Sequence, residues 1–359
     1  NKTDKYIKER ERTMKEKMRM AIWYGPEDVR IEERDMFDLE DDAVIMKVKV
    51  SLTCGTDVKT YKRGHPNYRP GITFGHEAVG IVYKKGKNVQ NFEIGDRIVP
   101  HSAAMCGNCY YCKTGRNDGC CEHRVRIIGG HSEYVYIPGV IVRQNLFKIP
   151  KDVSYKAAAL TEPLSCAMYA ADMTKFSYGD CVVVMGAGPI GLMISMIVKK
   201  MGAHVIQTDF SQSRLEVSKK LGIDTTVLLN SDMDVVETIR ALTPEGRGAD
   251  AVIDATGQPV AWENCINISR KGGYINLFGG CKPGTTITID TERMHYGGLT
   301  IAAFFHTTPK HVMMANNMIN HHEIPEDIFV TGEYKFEDLI EALEAHANQI
   351  GVKNALIYE

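Results

Sequence analysis

Apolar positions along this chain keep two different periods. From Met20 to about Asp152 they alternate in short runs, AIWYG, DVRIEE, AVIMKVKVSLT, AVGIVYKKG, DRIVP and SEYVYIP, separated by Gly, Pro and Asp. Period-two runs bounded by turn residues predict the strands of a partly open, antiparallel β domain. From about Val153 the texture changes. CVVVM leads into a helix over Ile190–Met201, VIQT into one over Ser213–Leu221, and AVIDAT into one near Trp262–Ser269, before YINLF closes the series. Strands separated by helices of that length predict βαβ units and a parallel, doubly wound sheet. The segment from Pro309 to Glu359 leaves this rhythm, with two helical stretches and a final ALIYE strand. It reads as a return to the first domain.

Four segments follow: a charged extension over 1–19, a β-rich domain over 20–155, an α/β domain over 156–303, and the returning segment 304–359. The extension carries eight Lys/Arg against four Asp/Glu and no apolar run of the kind a secretory signal needs. It is expected to be solvated, and the chain to work in the cytoplasm. The longest apolar run, Cys181 to Val198, has Gly186, Gly188, Pro189 and Gly191 at its centre. That predicts strand, turn and helix rather than a membrane span.

Composition alters this picture little. The chain has 359 residues, 44% hydrophobic and 25% charged, with a net charge of −2. Near-neutrality argues against a protein that coats nucleic acid or an anionic membrane. The ten cysteines matter more, because they are unevenly spread. Cys106, Cys109, Cys112 and Cys120 fall in one short stretch, enough thiolates to close a tetrahedral structural zinc site. Cys121 leaves the register of the fourth ligand open, with Cys120 preferred.

Two further constellations carry chemistry. Gly186-Ala187-Gly188-Pro189-Ile190-Gly191 follows a strand and opens a helix, where glycines let backbone N–H groups approach a pyrophosphate. Asp209 ends the next strand, about 20 residues on, where a carboxylate binds ribose hydroxyls and repels a 2′-phosphate. NAD is therefore expected over NADP, with Arg214 packing near the adenine. The second set is dispersed: Cys54 in CGTD, His76 and Glu77 in GHE, and Glu162 in TEPL. A soft thiolate, an imidazole and carboxylates suit a zinc ion that keeps a position for substrate.

At this point the chain resembles the zinc-dependent medium-chain alcohol dehydrogenases. The run from Gly75-His76-Glu77 through Gly80, Gly86 and Val89 is similar to that family's zinc signature. CGTD, GDRIV, the four-cysteine loop and GAGPIG occur in the family's order, from Met20 to Glu359. TEPL resembles the polyol, sorbitol-like branch, and CGTD is shared with the threonine dehydrogenase branch. The resemblance implies an α/β fold with a GroES-like β-rich catalytic domain and a Rossmann domain. It implies two zinc ions per chain, one catalytic and one structural, with NAD as cofactor. Cys54, His76, Glu77 and Glu162 match the catalytic zinc positions, Thr56 the hydroxyl that begins a proton relay, and Asp57 the carboxylate that orients the zinc-binding His. One departure stands out: Lys59 occupies the place where the family often has a His to pass the proton outward.

The implied reaction is zinc-assisted hydride transfer between a secondary alcohol, of polyol or sugar type, and NAD. His65, Lys59, His131 and Phe305 are expected near the substrate. An alternative on the same fold is a lyase or epimerase that oxidises transiently through bound NAD. A zinc-binding protein without catalysis is the weakest alternative. The apolar stretch Leu299–Phe305 resembles the sheet edge that pairs across a two-fold in this family, so a homodimer or homotetramer is expected. The partners expected are a small alcohol and further copies of the chain, with neither nucleic acid nor membrane.

Overall fold

The structure is a computed structural model that describes residues 16–64, 68–115 and 124–359. They divide into two compact units. One runs to Lys113, resumes through Glu162 and takes up Met318–Glu359; the other is built on Pro163–Asn317. The sequence expectation put these limits at 155/156 and 303/304. Both observed limits fall at or within helices, Thr161–Met173 and Pro309–Asn320, so the change of texture precedes the change of unit.

The first unit centres on a seven-stranded sheet in which Val44–Leu52 is the hub. It pairs antiparallel with Glu77–Lys85, Tyr134–Ile137 and Lys353–Ile357. Its residues are nearly all buried, because the sheet is covered on both faces. The last strand therefore does return to this unit, where Ala355 lies opposite Leu52 and Ile357 opposite Val50. Lys17–Gly25 forms a smaller sheet with Asp28–Asp35 and Ile72–Thr73. That first strand opens inside the stretch expected to be a solvated extension. Met18, Met20 and Ile22 point inward, whereas Lys17 pairs with Asp35 and Arg19 with Glu133, so the alternation was hidden by charges on the outer face.

The second unit holds six strands in the order Thr225–Leu228, His204–Asp209, Cys181–Met185, Ala249–Asp254, Ser269–Leu277 and Thr300–Ala302, all parallel. The order reverses direction at Cys181–Met185, and the crevice beyond the carboxyl end of such a strand is where doubly wound sheets take ligands. The Cys181 run resolves as that strand, a glycine turn and the helix Pro189–Lys200. No helix among the described residues is long and apolar enough to cross a membrane.

Candidate functional site: a metal-ligand cluster and a nucleotide turn

Cys54 sits at the N-cap of the helix Gly55–Arg63. Its sulfur accepts the Thr56 N–H at 3.5 Å, and Asp57 three residues on accepts the Cys54 N–H at 3.1 Å. This reciprocal capping fixes the Cys54 side chain at a helix N-terminus. His76 and Glu77 arrive from the start of the strand Glu77–Lys85. The ligand atoms of Cys54, His76 and Glu77 lie within 4.8 Å of one another.

The surroundings favour positive charge. Burial works against a charge on His76, but Asp57 and Cys54 outweigh it and push its pKa well up. Burial likewise opposes the charge on Lys353, yet Glu77 and Cys54 push its pKa up too. Two cationic groups, each held charged in part by Cys54 and by a neighbouring carboxylate, mark a field that suits a metal ion, and a thiol, an imidazole and a carboxylate are a donor set for zinc. Burial raises Glu77, and Lys353, with its Nζ 2.7 Å from Oε2, restrains that rise. Asp57 Oδ1 lies 3.1 Å from His76 Nδ1, which leaves Nε2 as the ligand atom. Burial alone would raise Asp57; His76 and His131 hold it well below the usual carboxylate range.

Glu162 is not gathered into this triple. Its Oε1 accepts from Ser102 Oγ at 3.0 Å and lies 3.5 Å from His101 Nε2, although its charge reaches Glu77. Thr56 and Lys59 are both exposed, three residues apart on one helix. His131 was expected near the substrate; it is fully buried, with Nε2 3.4 Å from Asp57 Oδ2. Phe305 is 63% exposed. His65 lies outside the described residues.

Cys106, Cys109 and Cys112 also converge, with Sγ separations of 4.0 Å between Cys106 and Cys112 and 3.6 Å between Cys109 and Cys112. A tetrahedral zinc with bonds of about 2.3 Å sets its sulfurs about 3.8 Å apart, so three corners of such a site are present. Cys120 and Cys121 lie outside the described residues.

In the second unit, Gly186 adopts φ +99°, and a Cβ at Gly191 would fall 2.0 Å from the Gly186 carbonyl oxygen. Gly188 caps the helix that Pro189 and Ile190 open, and a Cβ there would meet nothing, so the turn presents open backbone. Asp209 Oδ2 accepts the Ala187 N–H at 2.7 Å, Oδ1 accepts the Ser211 N–H at 2.8 Å, and Arg214 lies 3.8 Å away. A cavity of about 490 Å³ runs from Gly186 and Asp209 past Phe210, Met233, Val236 and Val260. Its size and apolar walls suit a nucleoside.

A thiolate–imidazole–carboxylate cluster in one unit and an open glycine turn on a parallel sheet in the other define the class: a zinc-dependent, nucleotide-linked dehydrogenase. Comparison with known proteins agrees. Residues 40–151 match the alcohol dehydrogenase GroES-like domain, and residues 189–320 match the zinc-binding dehydrogenase family. The sorbitol dehydrogenase of Bacillus subtilis (strain 168) is 30% identical over 344 residues, 92% of this chain and 94% of that protein. The L-threonine 3-dehydrogenase of Vibrio parahaemolyticus is 29% identical over 91% of this chain and 95% of its own length. An alcohol dehydrogenase of Escherichia coli CFT073, solved in complex with NADH, matches with a TM-score of 0.85 at 25% identity, covering 95% of this chain and 99% of that one. The chain belongs to the zinc-dependent medium-chain alcohol dehydrogenase family, in the branch that holds the sorbitol and threonine dehydrogenases. It is an NAD-linked oxidoreductase.

The residues that sequence reasoning missed stand behind the ligands. Lys353 is 2% exposed and bound to Glu77; the only signal was a lysine inside a closing apolar strand. Ser51, inside a strand, and His101 and Tyr358, each just past the end of one, gave no signal, since nothing local marks a polar residue as buried.

Proposed function

We propose that this chain oxidises a secondary hydroxyl of a small, hydroxyl-rich alcohol, of polyol or sugar type, to the ketone with reduction of NAD, and can run in reverse. The observation that carries the reading is the convergence of Cys54, His76 and Glu77 in a field that favours a cation. These three residues would hold the catalytic zinc, with Lys353 sharing the Glu77 carboxylate and Glu162 within electrostatic reach. When bound, zinc acidifies the substrate hydroxyl and NAD takes up the hydride.

The chain's own residues do the rest. Asp57 fixes the ring of His76. The Thr56 hydroxyl accepts the substrate's proton as it passes its own on toward water, and Lys59, exposed three residues further along the same helix, offers an ammonium donor to a hydroxyl-rich substrate. The turn at Gly186, Gly188, Pro189, Ile190 and Gly191 holds the pyrophosphate, Asp209 the adenosine ribose, and Arg214 packs beside the adenine. Cys106, Cys109, Cys112 and Cys120 hold a second, structural zinc. The sorbitol and L-threonine relatives support a substrate with more than one polar group. The reading places the protein in the cytoplasm, where thiolate ligands stay reduced, and as a dimer or tetramer through the sheet edge Thr300–Ala302.

The test is a screen of polyols, inositols, sugar phosphates, threonine and simple secondary alcohols, read as NADH formation. Stoichiometric NADH with a hydroxyl-rich secondary alcohol supports the reading. Turnover of a substrate with no net NADH rejects it in favour of transient oxidation.

A further inference from the structure

We infer that His131 is a positioning residue for the metal site: it holds Asp57 so that this carboxylate presents His76 to a metal ion, and Ser51 and Tyr358 fix the ring that does so. The inference rests on the ligand set proposed above. It concerns how that set is held.

Asp57 must satisfy three groups with two oxygens. Oδ1 faces His76 Nδ1 at 3.1 Å, while Oδ2 accepts the Cys54 N–H at 3.1 Å and lies 3.4 Å from His131 Nε2. The plane of the carboxylate, and with it the direction offered to His76, is therefore set by what stands around Oδ2. His131 is one of those two neighbours and is fully buried. Its ring is itself confined. Phe74 packs edge-on with centroids 5.3 Å apart, and Gly75, at φ +90°, lies so close that a Cβ would fall 2.4 Å from the ring.

The polar directions are consistent, with the 3.4 Å approach of His131 Nε2 to Asp57 Oδ2 an electrostatic contact longer than a well-formed hydrogen bond. An ionised Asp57 only accepts, so His131 Nε2 carries the hydrogen and Nδ1 is the acceptor. Ser51 Oγ stands 3.0 Å from Nδ1 and donates to it; Tyr358 OH stands 3.0 Å from Ser51 Oγ and donates in turn. Ser51 is 0% and Tyr358 7% exposed, so no bulk water competes for these groups. Donation therefore runs from Tyr358 to Ser51 to His131 and on to Asp57, while His76 Nδ1–H donates to the same carboxylate from its other oxygen, so the carboxylate is held from both sides. A phenylalanine at 131 would fill the same space and support none of it.

The experiment measures zinc affinity of the full-length protein by chelator competition, with cobalt(II) in the same site as a spectroscopic probe. His131→Phe is expected to weaken zinc binding at the Cys54, His76 and Glu77 site about 10–100-fold and shift the cobalt bands. His131→Gln, which keeps an N–H donor, is expected to recover most of that affinity, and Ser51→Ala to lose less than His131→Phe. Thermal midpoints of the metal-free proteins report any packing loss separately. Unchanged zinc affinity in His131→Phe, or a His131→Gln protein as weak as it, overturns the inference. Should His131→Phe fail to fold, Ser51→Ala decides: zinc affinity within about twofold of the unmodified protein also overturns it. His76→Ala separates this from the reading beneath it. If His76→Ala keeps both zinc ions, the ligand set is wrong; if it loses one while His131→Phe binds normally, only the positioning role falls.

Discussion

At the turn from Gly186 to Gly191 the working groups are backbone N–H groups, and the main demand on side chains is that they be missing. A Cβ at Gly191 would collide with the Gly186 carbonyl. Around Cys54, His76 and Glu77 the demand is reversed. Each proposed ligand is a side chain, and each leans on another: Cys54 and His76 on Asp57, and Glu77 on Lys353. The turn fails by addition and the cluster by subtraction. The difference follows from chemistry, since a pyrophosphate is met by amide dipoles and needs close approach, whereas a metal ion needs lone pairs of chosen softness held at fixed points.

The sharpest break in that contrast comes from removing a ligand. His76→Ala is expected to lower kcat/KM by at least about 10³-fold, about 4 kcal/mol, because the hydroxyl is no longer acidified. Zinc content should fall by about one ion per chain while NADH binding, followed by fluorescence, is retained. A variant that keeps most of its activity would show that the cluster is not the reacting centre.

Removing a support rather than a ligand should cost stability first. Lys353→Met leaves the Glu77 carboxylate buried without its ammonium, a change worth about 3–5 kcal/mol of destabilisation. Denaturant unfolding of the metal-free protein measures it, and Lys353→Arg should lose much less. A Lys353→Met protein as stable as the original would mean that Glu77 is carried neutral and needs no partner.

These two sites were not equally legible in the sequence. The glycine turn is contiguous, its rules are local, and the strand before it and the helix after it were read where they stand. The cluster is assembled from residues 54, 76 and 77, each unremarkable alone, and was legible because CGTD and GHE together offer a zinc donor set and resemble a family's signature. Its supports were not. His131 was expected beside the substrate from its place near the pocket segments of the family the chain resembles; only the fold shows it packed against Phe74 and Asp57. Lys353 lies 276 positions from Glu77, and no local pattern connects them. The strand Thr225–Leu228 and the helix Val235–Ala241 were missed for a different reason: both are short, and the four residues TTVL carry too little periodicity to be told from a loop.

The addition side of the contrast is tested at the turn. Gly191→Ala is expected to raise the KM for NAD about 10–100-fold, since forcing a Cβ against a carbonyl costs about 1–3 kcal/mol of local rearrangement. Zinc content and the cobalt spectrum should not change. An effect confined to zinc, with NAD binding intact, would contradict the division of labour.

Asp209 is where the second unit departs from its own plan, because here a side chain does the selecting. Its carboxylate is pinned by the Ala187 and Ser211 N–H groups, so it stands at the turn with a fixed orientation. In that position it can accept from the ribose hydroxyls of NAD, and it sets a negative charge against the 2′-phosphate of NADP. Arg214, 3.8 Å from it, offsets part of that repulsion without removing it. The unmodified protein is therefore expected to favour NAD by about 100-fold in kcat/KM, about 2.7 kcal/mol. Asp209→Ala also leaves the Ala187 N–H without its acceptor, so activity with both cofactors should fall. The ratio is the discriminating quantity, and it should shrink to about tenfold or less, because repulsion of NADP is relieved while the ribose contact to NAD is lost. A variant that keeps the original ratio would move cofactor choice from this side chain to the backbone of the turn, and the two sites would then differ less than their construction implies.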